Sequence, residues 1–253
     1  MRLPTPNFDL RGQIACVTGV TSGLGAYAAN LLTALGVRVV GLARSVEGLN
    51  DWQSANPETR SFVPVDLAAV TDFADLGAQI TAAFGSPHIL INAAGVNPRI
   101  GADRLSLAQW DHTLNLNLRA PMFLAQALVP GMRAAGYGRI INFASLQSER
   151  AFENGISYGA SKGGVAQLTR AMAQAWSAQG ITANALAPGF FETKLTAAVF
   201  QDPDKAQALA DQTCMGRNGI ESDLGGPLQF FCSAASSYVT GQILYVDGGF
   251  TAK

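Results

Sequence analysis

The chain has 253 residues, which is long enough for one large α/β domain with a sizeable core and excludes a disulfide-stapled miniprotein. Charged residues make up only 14% of it. An average soluble domain has about 25%. This shortage of surface charge indicates buried subunit interfaces. The net charge of -1 gives no global electrostatic reason to bind nucleic acid or an anionic membrane, so we expect neither partner.

Cysteine usage and the N-terminal segment bear on the compartment. Cys16, Cys214 and Cys232 are odd in number and form no CxxC pair, so neither a disulfide framework nor a zinc ribbon is indicated. Pro4 and Pro6 interrupt the stretch where a signal peptide needs an apolar run. No stretch reaches the ~20 apolar residues of a membrane span. We therefore expect a cytoplasmic protein.

Apolar runs rich in β-branched residues recur along the whole chain, as in strands covered on both faces. They lie at 14–18, 37–42, 61–65, 88–91, 139–143, 181–187 and 242–246. Apolar stripes at helical spacing lie between them, for example Leu24, Ala28, Leu31, Leu32 and Leu35, and then Leu124, Ala127, Leu128 and Met132. The alternation predicts a single α/β domain over 1–253, a Rossmann-like doubly wound parallel sheet of about seven strands with helices on both faces.

The two histidines, His88 and His112, lie far apart and have no HxxH or HExxH context. Zinc sites built from histidine depend on such spacings. We therefore expect no metal site, and interpret one histidine as a strand-start residue and the other as part of a helix face.

A glycine-rich turn, Thr18-Gly19-Val20-Thr21-Ser22-Gly23-Leu24-Gly25, follows the first strand and precedes the first helical stripe. Glycines let backbone approach a pyrophosphate, and the helix N-terminus offers N–H groups and the positive end of its dipole. The context predicts dinucleotide binding, although an ordinary tight turn would look alike. The predicted cofactor contacts here are Gly19, Thr21, Ser22, Gly23, Leu24 and Gly25.

Cofactor choice depends on the end of the second strand. An NAD-specific site would carry an acidic residue about twenty residues after the turn, but this chain has Arg44 there. An arginine can pair with a 2′-phosphate, so NADP(H) is favoured, while NAD(H) and a merely solvated Arg44 stay open. After the third strand, Asp66 could accept a hydrogen bond from the adenine amino group, and Leu67 is a further predicted cofactor contact. Asp66 could equally be a strand-end cap.

Tyr158 and Lys162 are four residues apart, which places them on one side of a helix, one turn from each other. A free tyrosine has a pKa of about 10, and a nearby ammonium lowers that pKa toward neutrality. The pair could then exchange a proton with a carbonyl or alcohol oxygen. Ser145 ends the fifth strand, at the edge where such sheets bind ligands, and could hold the same oxygen. Asn92 ends the fourth strand at that edge.

These motifs together resemble the short-chain dehydrogenase/reductase family over essentially the full length of the chain. The matching segments are the TGxxxGxG turn at 18–25, the fourth-strand motif at 92–95, and Ser145 with the YxxxK pair Tyr158 and Lys162. Ala93 replaces the second asparagine of the usual NNAG. The resemblance implies an NAD(P)-dependent oxidoreductase acting on a secondary alcohol or ketone. A catalytically silent nucleotide-binding sensor or scaffold is the alternative.

The resemblance also implies roles for individual residues. Tyr158 would be the general acid/base, Lys162 would lower its pKa and bind the nicotinamide ribose, Ser145 would orient the substrate oxygen, and Asn117 would support a relay water. The remaining implied cofactor contacts are Asn92, Ala93, Ala94, Gly95, Tyr158, Lys162, Pro188, Gly189, Phe191 and Thr193.

Pro121 lies four residues after Asn117 and lacks the N–H that an α-helix would direct to the Asn117 carbonyl. We expect Pro121 to keep that carbonyl open for the relay water, at the cost of a local kink. A straight helix there would contradict this hypothesis.

The segment around 190–217 corresponds to the substrate lid of the family. Lys194, Arg217 and Arg99 could hold an anion there, although each could also be a solvated surface charge. The closing stretch from Gly216 is similar to sugar-acid dehydrogenases such as those acting on 2-deoxygluconate or gluconate. A small cyclic ketone or another secondary alcohol is equally allowed as substrate. Low charge and the resemblance together predict a homotetramer.

Overall fold

The computed structural model describes residues 5–253 and contains a seven-stranded, wholly parallel sheet in the order β3-β2-β1-β4-β5-β6-β7. The strands are β1 (Ile14–Thr18), β2 (Arg38–Ala43), β3 (Arg60–Pro64), β4 (Ile89–Asn92), β5 (Gly138–Phe143), β6 (Ile181–Pro188) and β7 (Ile243–Val246). The predicted fold class is confirmed, and each expected strand boundary lies within one residue of the observed one.

Helices cover both faces of the sheet. They are α1 (Gly23–Ala34), α2 (Val46–Ser54), α3 (Phe73–Phe84), α4 (Leu107–Leu114), α5 (Ala120–Ala135), α6 (Ile156–Trp176), α7 (Ala197–Phe200), α8 (Pro203–Ala210) and α9 (Gly225–Cys232). Buried residues of α1, α2 and α9 form the core on one face, and those of α3, α5 and α6 form the core on the other. Within residues 5–253, no helix combines the length and apolar character that crossing a bilayer requires.

Burial on both faces explains why the strands are nearly continuous in apolar residues. All residues of β1 and β4 are buried, and successive residues of β1 alternate between the two cores, with Ala15 and Val17 on one side and Cys16 on the other. Full burial of a Val, Leu or Ile side chain contributes about 1.5–3 kcal/mol. The hydrophobic pattern therefore determines which segments enter the sheet.

The strand order reverses beside β1, which lies between β2 and β4. Open parallel sheets bind ligands in the crevice at such a reversal, at the carboxyl ends of the strands. Thr18 joins the end of β1 to the segment after β4 at this edge. Its Oγ1 accepts hydrogen bonds from the backbone N–H groups of Ala93 and Ala94 at 2.9 and 2.8 Å.

A π-helical turn, Asn115–Arg119, connects α4 to α5. The N–H of Ala120 donates to the carbonyl of Asn115, five residues back, and Pro121 follows at the start of α5. The helix is therefore not a straight α-helix at this point, as the Pro121 hypothesis requires. The role of the Asn117 carbonyl in holding a water stays a prediction.

Candidate active site

A cavity of about 310 Å³ lies at the carboxyl edge of the sheet, above β1, β4, β5 and β6. It brings together the predicted residues from all parts of the chain: Gly19, Thr21, Ser22, Gly23, Leu24, Gly25, Arg44, Asp66, Leu67, Ala93, Ala94, Gly95, Ser145, Tyr158, Lys162, Pro188, Gly189, Phe191 and Thr193. Two predicted residues, Asn92 and Asn117, do not line it.

The glycine turn leaves the N-terminus of α1 open toward the cavity. Ser22 occupies the N-cap position but makes no capping hydrogen bond, and the first turn of α1 carries no acidic residue. The helices α2, α3 and α8 are capped by Ser45, Asp72 and Asp202. Uncapped N–H groups at a helix start bind phosphate. The residues of this turn therefore fit a dinucleotide.

The glycines of this turn are required by its geometry. Gly19 and Gly23 have φ angles of 79° and 56°, in the region that favours glycine. A Cβ on Gly25 would lie 2.5 Å from the carbonyl oxygen of Gly19, so any larger residue would push α1 away from the turn. The close packing of helix on strand that the sequence pattern predicts is present.

Two side chains lie where the adenosine end of a cofactor would bind. Arg44 follows β2 directly, is exposed and lines the cavity. Asp66 also lines the cavity, and its Oδ1 accepts a hydrogen bond from the N–H of Ala68 at 3.0 Å. Asp66 thus caps the turn that follows β3, as one of the two interpretations expects. That bond leaves Oδ2 of Asp66 free to accept another hydrogen bond.

Asn92 is not among the residues that line the cavity, so its contact with the cofactor stays a prediction. Its Nδ2 donates to Oδ1 of Asn142 at 2.8 Å, and Nδ2 of Asn142 donates to Oγ1 of Thr169 at 2.9 Å. Buried amides must find such partners because an unpaired one costs about 1–3 kcal/mol. Asn92 thus belongs to a polar ladder that joins β4, β5 and α6, and only its neighbours Ala93 to Gly95 line the cavity.

Tyr158 lies in the first turns of α6 and is only 9% exposed. Burial raises the pKa of its phenol, while a hydrogen bond from the Ser145 side chain and the charge of Arg99 act to lower that pKa. Ser145, at the end of β5, and Arg99, in the loop after β4, line the same cavity as the phenol.

Lys162 is 6% exposed, and its Nζ lies 5.6 Å from the centre of the Tyr158 ring. The ammonium donates to the carbonyl of Phe143 at 2.6 Å, and burial lowers its pKa to about 8. We expected Lys162 to lower the pKa of Tyr158. That effect of Lys162 stays a prediction; the charge of Arg99 acts to lower the pKa of Tyr158, and the Lys162 ammonium donates to a backbone carbonyl.

Ser145 follows β5, and its Oγ accepts a hydrogen bond from the N–H of Gln147 at 3.1 Å. The Oγ of Ser148 donates to the carbonyl of Lys162 at 2.9 Å, which fixes this turn against α6. Gln147 was not predicted. It lines the cavity, and its Oε1 is buried without a hydrogen-bond partner among residues 5–253. Its place two residues after Ser145 was the available signal.

Asn117 sits in the π turn with its side chain fully engaged. Its Nδ2 donates to the carbonyl of Val96 at 2.9 Å and to Oγ of Ser161 at 3.0 Å, and its Oδ1 accepts from the N–H of Val96 at 2.9 Å. The side chain thus holds the loop after β4 against α6. The contact of the Asn117 backbone carbonyl with a relay water stays a prediction.

The substrate end of the cavity is lined by aromatic rings and two cations. The rings of Phe152 and Phe190 lie 6.0 Å apart, and Phe152 is a further residue that the sequence did not predict. Arg99 and Lys194 line the cavity. Arg217, the third predicted anion holder, is instead paired with Asp223 at 2.6 Å and does not line the cavity.

Comparison with known proteins identifies the family. Residues 19–251 match the family described as Enoyl-(Acyl carrier protein) reductase. The 2-dehydro-3-deoxy-D-gluconate 5-dehydrogenase of Escherichia coli (strain K12) is 38% identical over 97% of this chain and 98% of its own length. The gluconate 5-dehydrogenase of Gluconobacter oxydans (strain 621H) is also 38% identical, over 97% of each chain.

A solved structure agrees with these relatives. The gluconate 5-dehydrogenase from Burkholderia cenocepacia J2315, in complex with NADP and tartrate, superposes with a TM-score of 0.93 at 35% identity, covering 98% of each chain. All three of these proteins are dehydrogenases, which gives no support to a silent sensor or scaffold. The chain belongs to the short-chain dehydrogenase/reductase family and is an oxidoreductase that uses a nicotinamide cofactor.

Proposed function

We propose that this chain is an NADP(H)-dependent dehydrogenase that interconverts a hydroxyl and a keto group on a sugar acid. The observation that carries the proposal is a guanidinium, Arg99, in the same cavity as Ser145, Tyr158 and Lys162. None of the ion pairs found within residues 5–253 involves Arg99. Its charge therefore remains available for a substrate carboxylate.

Arg99 is held in place by its backbone and by one contact to the lid. Its φ of 52° is uncommon for a residue other than glycine, and its Nη2 donates to the carbonyl of Leu195 at 3.5 Å. Because its charge also acts on the Tyr158 phenol, a carboxylate bound by Arg99 would lie near the acid/base. The segment 190–217, which contains Leu195, is proposed to close over the substrate.

The bound nicotinamide supplies or accepts the hydride. Tyr158 donates the proton to the substrate oxygen in reduction and removes it in oxidation, and Ser145 holds the same oxygen through its hydroxyl. Lys162 is proposed to bind the nicotinamide ribose, and its support is that Lys162 lines the cavity with its Nζ 5.6 Å from the centre of the Tyr158 ring. Asn117 supports the proton relay through its backbone carbonyl, which Pro121 leaves without an α-helical partner.

NADP(H) is proposed over NAD(H) because Arg44 lines the adenosine end of the cavity and can pair with a 2′-phosphate. Gluconate dehydrogenase structures with NADP bound support the same preference. Asp66 is proposed to accept a hydrogen bond from the adenine amino group through its free oxygen.

We also propose a cytoplasmic homotetramer. Its support is the low fraction of charged residues, 14%, and exposed apolar side chains on two helices, Leu107 of α4 at 74% and Phe123 of α5 at 42% exposure. The cysteines Cys16, Cys214 and Cys232 are all free thiols, as in a reducing compartment. Light scattering should give four times the chain mass at micromolar concentration, and a stable monomer would contradict the assembly.

The substrate class is tested by the variant Arg99→Gln. Losing a charge-assisted pair should raise the KM for gluconate or 2-dehydro-3-deoxygluconate by about 10- to 100-fold. Turnover of a neutral substrate such as cyclohexanol should fall by less, because it loses only the effect of the Arg99 charge on the Tyr158 phenol. Nicotinamide fluorescence measures both reactions. Arg104→Gln, which removes the same charge from a residue that does not line the cavity, is the matched control. Equal losses on acidic and neutral substrates would contradict recognition of a carboxylate by Arg99.

A further inference from the structure

A second pocket, of about 610 Å³, lies at the opposite edge of the sheet, where β5 and β6 begin. It opens between these strand starts and the segment after α9, and its lining includes Arg139, Thr182 and Ser237. Ser145 lies six positions after Arg139 along extended chain, which is about 20 Å at ~3.3 Å per position. The pocket is therefore distinct from the active site.

Arg139 and Thr182 are paired in the register of β5 and β6 and so stand side by side. They lie on the face of the sheet that packs against α9, because Ile141 and Leu186, an even number of residues further along the same strands, belong to that core. The two side chains thus form adjacent parts of one wall of the pocket.

Arg139 is a buried cation, only 3% exposed, without a carboxylate partner. Its Nε donates to the carbonyl of Ser233 at 3.0 Å, and its Nη1 donates to the carbonyl of Gly138 at 2.9 Å. Its guanidinium carbon lies 4.1 Å from the centre of the Tyr137 ring. No ion pair found within residues 5–253 includes it. A buried charge of this kind is costly unless it is paired.

A second buried arginine, Arg60, has a hydrogen-bond partner for every nitrogen of its guanidinium and serves as a comparison. Arg60 is 5% exposed and uses all three nitrogens, on Thr33, the carbonyl of Trp52, and Asn30. Arg139 uses two nitrogens, and its Nη2 has no partner among residues 5–253. Capping the end of α9 therefore accounts for only part of the guanidinium of Arg139.

Thr182 supplies an independent second observation. Its side chain is in the pocket wall and the residue is 6% exposed, yet its Oγ1 is buried without a hydrogen-bond partner among the described residues. Native proteins leave few such groups unpartnered, because a lost hydrogen bond costs about 1–3 kcal/mol. A free hydroxyl beside a free guanidinium nitrogen is a matched pair of donors.

We propose that this pocket binds a phosphate group, with Nη2 of Arg139 and the buried Oγ1 of Thr182 as its two donors. Ser237 adds a hydroxyl at the exposed rim. A carboxylate can accept from a guanidinium alone, but the additional hydroxyl donors match a group with at least three acceptor oxygens. The binding also compensates the buried charge of Arg139, whose pKa is lowered by its burial.

The test is a calorimetric titration of inorganic phosphate into the enzyme at constant ionic strength. Saturating NADP⁺ is present throughout, so that the glycine turn is already occupied. We expect one saturable site per chain. Thr182→Val should weaken binding about tenfold, and Arg139→Gln should weaken it by more than that. Thr182→Val removes a hydroxyl with no partner in the free protein, so its melting temperature without phosphate should be no lower than that of the wild type.

Arg133→Gln is the matched control, because it removes an exposed arginine that bonds to Gln179 outside the pocket. It should bind phosphate as the wild type does. The absence of a saturable site, or equal affinity in the wild type and Thr182→Val, overturns the proposal. Tighter binding of acetate than of phosphate in the same titration overturns the assignment to phosphate.

Discussion

The groups that carry out the chemistry and the groups that select the ligands are held very differently. Tyr158 and Lys162 are 9% and 6% exposed and sit on one long helix between two strands. Arg44 and Arg99 are exposed and lie on loops that follow β2 and β4. The buried pair keeps its geometry regardless of the ligand, whereas the loop arginines can be exchanged without repacking the core. Substitutions of the buried pair should therefore lower kcat, whereas substitutions of the loop arginines should change which cofactor or substrate is preferred.

The largest effect is expected from Tyr158→Phe. The ring remains packed, but the proton donor to the substrate oxygen is gone, so kcat should fall about 10²- to 10⁴-fold. Affinity for NADP⁺, measured by fluorescence, should persist. Tyr245→Phe is the matched control, because it removes the same hydroxyl from a tyrosine that does not line the cavity. Unchanged turnover in Tyr158→Phe would end the assignment of the acid/base.

Arg44→Asp should change the choice of cofactor while leaving kcat nearly intact. Loss of the pair with the 2′-phosphate, and the new repulsion, should lower the NADP(H) to NAD(H) ratio of kcat/KM by about 10- to 100-fold. Arg38→Asp reverses the same charge at the opposite end of β2, outside the cavity, and should leave the ratio unchanged. An equal ratio in Arg44→Asp and the wild type would show that another residue discriminates.

A further effect concerns stability and pH, and it leaves cofactor choice aside. Burial lowers the pKa of Lys162 from 10.5 to about 8. Between these values the unfolded chain holds a proton that the folded chain has released, so the folded wild type gains stability as the pH rises through this window. Relative to Lys162→Met, the free energy of unfolding of the wild type should rise from pH 8 to 10.5. Below pH 8 the difference between the two proteins should stay constant. Urea unfolding of both proteins measures the difference, and a constant difference across the window would contradict the buried, depressed lysine.

The parts of this molecule that follow from hydrophobic periodicity were predictable. Strands buried on both faces leave a continuous apolar run, so β1 to β7 could be located to within one residue, and parallel strand order then places Ser145 and the glycine turn at one edge. The π turn at 115–119 could not be predicted, because its i to i+5 bond depends on how α4 and α5 pack.

Side-chain direction marks the other limit. A motif match places Asn92 at the correct strand end, but the match does not show that its amide turns inward to Asn142. Gln147 and Phe152 were missed because they lie in loops whose path is set by tertiary contacts. Lys162 shows the same limit, since a spacing of four residues brings it beside Tyr158 without fixing where its ammonium donates.

The bare start of α1 has a consequence for thermal behaviour. A side-chain cap is worth about 1 kcal/mol to a helix, and this helix does without one at the point where the cofactor phosphates would bind. Cofactor binding should thus stabilise this enzyme against heat, so that the melting temperature is higher with the cofactor bound than without it. A side chain engineered to cap α1 in that turn should raise the melting temperature of the empty protein and lower its affinity for the cofactor.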